Sequence, residues 1–396
     1  MYEVVVVGGG IVGAATAHEL TSRGLGPVLV LDKEPFVARH QTGHNSGVIH
    51  SGIYYEPGSH KAVMCREGAA ATKAFAAEHG IPVTECGKLL VATDRRELER
   101  LSALEERAKL NSIDAETLDA AELRRREPHV TGLGALFIRE TAIVDYTEIT
   151  AKLVHLVTEA GGEVRTGVTV TGVRETTDAV TLRTDRGGVT ARRVVFCAGL
   201  QADRMARLCG LAPDVRIVPF RGEYYDIVPH RANLVSTLVY PVPDPDLPFL
   251  GVHLTPTLDG GLNVGPSAVL GLSREGYPKG SLDWRDVRDM ASFPGMWRVA
   301  RGNVRVGLRE MRNSLWKRGY LKECRKYCPE LTLEDLIPRE AGIRAQAVMR
   351  DGSFVHDFLV RRTDRTLHVL NAPSPAATSA LPIAAHVVSL LDGTLG

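Results

Sequence analysis

No cysteine pair in this 396-residue chain has CxxC spacing, and no apolar run reaches the roughly eighteen residues that span a membrane. The six cysteines (Cys65, Cys86, Cys197, Cys209, Cys324, Cys328) are scattered, which excludes a disulfide framework and fits a reducing compartment. Cys324 and Cys328 stand one helical turn apart with no neighbouring His or third Cys, so no metal site is expected. Charge imbalance is also lacking: 48 Lys and Arg against 47 Asp and Glu leave a formal charge of +1. That is too little to gather nucleic acid or an anionic membrane at the surface. The apolar start has no preceding basic residue, carries Glu3 and breaks at glycines, so it does not read as a secretory signal. A cytoplasmic protein is expected, with no nucleic-acid partner and at most peripheral membrane contact. Internal repeats and low-complexity tracts are missing as well.

What is present is ordinary for a globular protein, with 44% apolar and 24% charged residues, and a length that predicts one large or two interleaved domains. Thirty-nine glycines predict many tight turns. The first of these carries chemistry. Val4 to Val7 is a continuous β-branched run, as expected of a strand buried on both faces of a parallel sheet. Gly8-x-Gly10-x-x-Gly13 follows at once, and a helix from Ile11 to Ser22 starts inside it. Gly8 permits the turn, Gly10 lets backbone approach a pyrophosphate, and Gly13 lets helix pack on strand. Ile11 and Val12 open the helix whose positive end receives the phosphate. The next strand, "PVLVLDKE", ends at Asp32, nineteen residues after Gly13, placed to accept from a ribose hydroxyl, with Lys33 beside it. Strand, helix, strand and acid in register predict a dinucleotide site.

The choice between NAD and FAD rests on a later segment. "RRVVFCAGLQADRMA" (192–206) is a second buried strand ending in small residues, Ala198-Gly199, before a helix. Flavoenzymes of the glutathione reductase type return to the sheet in this way, under the bound dinucleotide. Alternating strands upstream, "GGEVRTGVTVTGVRET" and "AVTLRTDRGGVTA", replace the βαβ units an NAD dehydrogenase would continue; Val168 in the first is counted with the cofactor residues. FAD is the expected cofactor, and no metal is.

The pieces interleave. Residues 1–85, 145–215 and 336–396 are assigned to an FAD-binding domain, and 86–144 and 216–335 to a substrate domain. The fold class is thus α/β: a glutathione-reductase-type FAD-binding Rossmann domain interleaved with an α+β substrate domain on a mostly antiparallel sheet. Within the latter, "GKLLVAT" is a strand, "DRRELERLSALEERAKLNS" a helix, and "DAAELRRREPHV" a helix with Asp119 as N-cap and Glu122 completing a capping box. A Leu258–Gly261 turn between short strands and a helical stretch around 305–328 are also expected.

Five segments, "HQTGHNSGVIHSGIYYEPGSHKA", "PFRGEYY", "YPVPDPDLPFLGVHLTP", "AGIRAQAV" and "NAPSPAATSALPI", resemble the L-2-hydroxyglutarate oxidase/dehydrogenase family of the D-amino-acid-oxidase-like FAD enzymes. The resemblance runs from Met1 to about residue 391. It implies oxidation of L-2-hydroxyglutarate to 2-oxoglutarate, by hydride transfer from Cα to flavin N5 with dioxygen or quinone as the final acceptor.

Such a reaction needs a base for the hydroxyl proton and a clamp for the carboxylate. His253 in "FLGVHLTP" is the first choice of base, with His50 in "SGVIHSG" the rival, since an imidazole near 6.5 accepts protons around neutrality. Arg344 in "AGIRAQ" matches the superfamily arginine that grips the substrate α-carboxylate by two parallel hydrogen bonds. Ala345 follows it where many superfamily members have proline. Arg221 in "PFRGEYY" is expected to reach the second carboxylate, with Tyr224 and Tyr240 adding hydroxyls. A structural ion pair of Arg221 with Glu223 or another acid is the competing reading. The resemblance lays the loop Thr42, Gly43, His44, Asn45, Ser46, Gly47 along the flavin. His44 stands where some relatives bond FAD covalently, which is not a mark of this group. Ser374, Ala376, Ala377 and Thr378 lead into a helix whose positive end would face the flavin O2. An FAD-dependent oxidase of another 2-hydroxy acid or of an α-amino acid remains open on the same fold. A non-catalytic flavin-binding redox sensor is the remote alternative, disfavoured by the joint presence of His50, His253, Arg221 and Arg344.

Overall fold

Val4, Val5, Val6 and Val7 are all buried, because the strand they form, Tyr2–Val7, lies between two parallel neighbours inside a mixed sheet. It pairs with Val28–Leu31 on one side and Gly187–Phe196 on the other. The computed structural model describes residues 1–244, 251–302 and 316–392. Alternation sends Val4 and Val6 into a core with Ala17, Leu20, Val387 and Val388, and Val5 and Val7 into another with Leu29, Leu31 and Leu182. Each fully buried valine contributes about 1.5–3 kcal/mol of transfer free energy, which is why the run tolerates no polar residue.

This first sheet has eight strands. Glu163–Arg165 extends it beyond Val28–Leu31. On the other flank Gly187–Phe196 takes two neighbours in succession: its first half pairs antiparallel with Val180–Thr184, and its last three residues pair parallel with Thr366–Asn371. The helix Ile11–Ser22 packs through Ala14 and Ala15, both fully buried, against the helices Tyr146–Glu159 and Ala380–Asp392. Small residues on that face let the three helices approach closely over the sheet.

The second sheet has nine strands and is mostly antiparallel, Leu238–Pro241 with Lys88–Ala92 being a parallel pair. Its axis is the long strand Val215–Ile227, paired with Leu336–Met349 from Val215↔Met349 to Ile227↔Leu336. This differs from the expected division at residue 336. Leu336–Met349 belongs to the substrate sheet, because thirteen-residue Val215–Ile227 offers it a continuous edge, and the chain rejoins the first sheet only at Leu359–Arg362. A third, three-stranded sheet of Val48–Ile49, Ala142–Val144 and Val83–Thr84 is hydrogen-bonded to neither larger sheet but packs through Val48 and Ile143 on the second.

The capping box is present: Asp119 accepts from Glu122 N and Glu122 from Asp119 N. The Leu258–Gly261 turn joins His253–Pro256 to Leu262–Gly265. Of the helix expected around 305–328, Lys317–Cys324 is observed, and 303–315 lie outside the described residues. Cys324 and Cys328 are free thiols in a core with Tyr320 and Tyr327. Among the described residues no helix is long and apolar enough to cross a membrane.

Candidate functional site

The glycine motif is a matter of contact distances. Gly8 has φ +118°, and a Cβ there would lie 2.3 Å from the Cys197 carbonyl oxygen. A Cβ on Gly13 would lie 1.9 Å from the Gly8 oxygen, so Gly13 serves helix-to-strand packing and does not face the cavity. Gly10 differs: its nearest neighbour is Thr42 Oγ1 at 3.3 Å, and it opens onto two cavities. One, of about 160 Å³, is lined by Gly8, Asp32, Lys33, Val168, Ala198 and Gly199 among others. The second, of about 510 Å³, takes in Ile11, Val12 and most of the remaining candidates, but not Gly13, Gly43, Gly47 or Arg221. Gly10, Gln41, Thr42, Cys197 and Gly199 line both, so the two form one trough under the amino end of Ile11–Ser22. A long, bent molecule with anionic groups at its middle fits there, the helix end meeting the charge.

Asp32 is held in place by two backbone donors, Gly9 N and, at 2.7 Å, Glu34 N. Thr42 Oγ1 accepts from Ile11 N at 3.0 Å, at the same helix end. Lys33 reaches outward: its ammonium lies 2.9 Å from Glu275 and 3.2 Å from His40 Nε2, and it bonds Glu34. Glu34, His40 and Glu275 bring their ligand atoms within 4.8 Å of one another, and the Lys33 ammonium already contacts all three.

The loop 42–47 divides its work. His44, Asn45 and Ser46 line the larger cavity. Gly43 and Gly47 do not; a Cβ on either would meet a carbonyl (Ala38 or Val144) at 2.7 Å, so they are glycines for chain packing. Asn45 staples the loop by donating to Thr42 O at 2.6 Å and accepting from Gly47 N at 2.7 Å. His44 stacks on Tyr277 at 3.9 Å and contacts Glu340 at 3.1 Å. Ser374, Ala376, Ala377 and Thr378 line the same cavity, and Thr378 Oγ1 ties the wall together through His50 N, Val48 O and the Tyr146 hydroxyl.

At the far end His50, His253, Tyr224, Tyr240 and Arg344 converge on this cavity. His253 Nδ1 faces the Gly251 carbonyl at 3.1 Å, which places the ring proton on Nδ1 and leaves Nε2 as an acceptor. Its ring stacks on Tyr240 at 3.9 Å. Burial, and then the charges of Arg344 and Lys88, push His253 down to about 3. His50 is pushed to about 3 as well, by burial first and then by Lys88, His253, Arg344 and Lys61. Both imidazoles are therefore neutral throughout the physiological range. Arg344 is reachable through the cavity mouth yet walled by protein, and burial lowers its pKa while Tyr224 and Tyr55 oppose the shift. Strand register explains its place: Arg344 lies opposite Phe220, and Ala345 N bonds Gln41 Oε1 at 2.9 Å.

Arg221 is elsewhere. Phe220, Gly222 and Tyr224 line the cavity, and strand alternation turns Arg221 to the other face. There its Nη1 donates to the carbonyls of Gly276, Tyr277 and Pro278 (3.2, 2.6 and 3.3 Å), and Nε lies 3.7 Å from Glu223. The competing reading, a structural ion pair, is what the geometry gives.

Four further residues were not singled out from sequence. Gln41, Tyr54, Tyr55 and Lys61 line the cavity, and all fall inside the long "HQTGHNSGVIHSGIYYEPGSHKA" segment, whose density of polar and aromatic residues was the available signal. Lys88 lies behind them, 1% exposed, its Nζ 4.7 Å from the Tyr54 ring centre and 5.4 Å from that of Tyr240.

Comparison with known proteins agrees with this geometry. The family model for FAD dependent oxidoreductases (DAO) matches residues 3–390. The chain is 49% identical to the L-2-hydroxyglutarate dehydrogenase of Escherichia coli K12, over 100% of this chain and 94% of that protein. It is 40% identical to the mitochondrial L-2-hydroxyglutarate dehydrogenase of Homo sapiens, over 98% and 88% respectively. Among solved structures, the L-alpha-glycerophosphate oxidase of Mycoplasma pneumoniae with FAD bound superposes with a TM-score of 0.78 at 23% identity, covering 99% of this chain and 94% of that one. Glycine oxidase from Geobacillus kaustophilus gives 0.71 at 18% identity, covering 99% and 94%. The fold, the trough and the full-length match lead to one conclusion: the chain belongs to the FAD dependent oxidoreductase family, and its cofactor is FAD.

Proposed function

We propose that the protein oxidises L-2-hydroxyglutarate to 2-oxoglutarate. The observation that carries this reading is the convergence of Arg344 with His50 and His253 at one end of the trough. Its support from relatives is the name shared by proteins at 40–49% identity. When bound, FAD supplies the acceptor for the hydride that leaves Cα.

The chain's own residues do the rest. Arg344 holds the carboxylate next to the hydroxyl by its planar fork, fixing the orientation of Cα. His253 Nε2, left free by the Nδ1 contact to Gly251, takes the hydroxyl proton. The proton then rests on an imidazole whose surroundings disfavour charge, so it is readily released. Tyr240 keeps the ring in plane by stacking, and Tyr224 lines the same wall. At the nucleotide end, Gly8, Gly10 and Val12 beside Ile11 would hold the pyrophosphate, and Asp32 would hold the ribose. Electrons pass on to dioxygen or a quinone. The cysteines are unbridged, in keeping with a cytoplasmic protein whose contact with any bilayer is peripheral.

The test is product formation. Purified protein with L-2-hydroxyglutarate and an artificial electron acceptor should yield stoichiometric 2-oxoglutarate, and the D enantiomer should not. Equal turnover of both enantiomers would contradict a site with fixed clamp and base. Paired variants His253→Gln and His50→Gln separate the two histidines: the slower flavin reduction marks the base.

A further inference from the structure

L-2-hydroxyglutarate carries two carboxylates, and Arg344 accounts for one. Arg221 faces away from the cavity and is occupied by three carbonyls. Among the described residues lining the larger cavity, the remaining cation with a long reach is Lys61. It sits in the first turn of the helix His60–Glu78, capped by Ser59, whose Oγ accepts from Ala62 N at 3.2 Å. A lysine at the positive end of a helix is electrostatically unfavourable by itself, and an anion arriving between the two reverses that. Its ammonium rests over the Tyr55 ring at 4.7 Å and donates to the His356 carbonyl at 3.4 Å, a long contact that a carboxylate would readily displace.

The groups facing it come from several elements. Arg344 stands across the cavity, Cys65 is one turn further along the same helix, and Asp357 follows His356. Burial and Arg344 bring the ammonium down to about 8 while Asp357 and Cys65 oppose the shift. The other carboxylate on the wall, Asp244, is held by Arg100 at 3.1 Å.

We propose that Lys61 binds the distal carboxylate of the 2-hydroxy dicarboxylic acid and thereby determines the preference for a dicarboxylate over a 2-hydroxy monocarboxylate. This rests on the reading of the site as a 2-hydroxyglutarate oxidising centre. Arg344 and Lys61 then anchor the two ends of the substrate, with the reacting carbon close to the Arg344 end.

The test uses FAD-loaded protein and two substrates: L-2-hydroxyglutarate, and L-2-hydroxypentanoate, which has a methyl group in place of the distal carboxylate. Loss of one charge-assisted hydrogen bond in Lys61→Met should lower kcat/KM for L-2-hydroxyglutarate roughly 10- to 100-fold, mainly through KM. The value for L-2-hydroxypentanoate should change by no more than about threefold, and Lys61→Arg should recover part of the loss. Glutarate should raise the melting temperature of the wild type and not of Lys61→Met, a readout independent of turnover. Weakening of the dicarboxylate above about pH 8 should occur in the wild type and vanish in Lys61→Met. An equal loss on both substrates, or an intact dicarboxylate preference in Lys61→Met, overturns the assignment of Lys61 alone. A wild-type flavin that L-2-hydroxyglutarate does not reduce overturns the underlying reading and the proposal with it.

Discussion

Acidification from about pH 7.5 to about pH 5.5 should leave kcat/KM for flavin reduction almost unchanged. An imidazole at its ordinary 6.5 would be about 90% protonated at pH 5.5, and the rate would fall about tenfold. At about 3, where burial with Arg344 and Lys88 hold His253, well under about 1% is protonated and the rate stays flat. The size of the Lys88 contribution follows from two ring contacts. Its Nζ is 5.4 Å from the Tyr240 ring centre, and that ring is 3.9 Å from the His253 ring, so charge and imidazole lie within about 9 Å. At an effective dielectric near 20 this amounts to about 1.8 kcal/mol, a little over one pH unit. Lys88→Met should therefore raise the apparent pKa of the acid limb by about one unit while leaving the rate at pH 7.5 within a few-fold. The assay is anaerobic stopped-flow bleaching of the visible flavin band at low substrate, since kcat/KM reports the free enzyme. An acid limb between about pH 6 and 7 in the wild type would refute the picture of a buried neutral base.

Further expectations concern the clamp, the cradle and the scaffold. Arg344→Lys keeps the charge but loses the fork, so substrate binding measured by flavin reduction should weaken roughly 10- to 100-fold. Gly8→Ala places a methyl 2.3 Å from the Cys197 oxygen at φ +118°, so the purified variant should lose FAD, read as the loss of yellow colour. Arg274 is 0% exposed and holds Asp203 and Asp289, with Asp203 also 0% exposed; Arg274→Met should cost about 3–5 kcal/mol in denaturant unfolding. His50, His253 and His368 all have folded pKa values below 6.5, the last at about 4. Between 6.5 and those values the unfolded chain binds more protons, so stability should fall steadily as pH drops from 6.5, seen in melting curves taken across that window.

What could be read from sequence was local. Val4–Val7, Gly8 and Asp32 are consecutive steps of one βαβ unit, so spacing alone places them, and His253 and Arg344, each named from a short motif, both line the cavity. The failures are tertiary. Arg221 is one residue from cavity-lining Phe220 and Gly222 by number but on the opposite face by strand alternation. Gly13, Gly43 and Gly47 share a motif with cavity-lining neighbours, yet each is required by a nearby backbone carbonyl: Gly8 and Ala38 a few residues upstream for the first two, and Val144 of a distant strand for Gly47. Leu336–Met349 joins the substrate sheet because its partner strand begins 121 residues earlier, at Val215. Lys61 and Lys88 look like solvated helix and strand lysines until the chain closes around Tyr54, Tyr55 and Tyr240.

The central claim is that Arg344, with a neutral histidine beside it, presents a 2-hydroxy dicarboxylate to bound FAD. Anaerobic addition of L-2-hydroxyglutarate, its D enantiomer and L-glutamate to the yellow protein in separate cuvettes tests it most directly. Complete bleaching by L-2-hydroxyglutarate alone is the predicted result. Bleaching by L-glutamate and not by the hydroxy acid would contradict it.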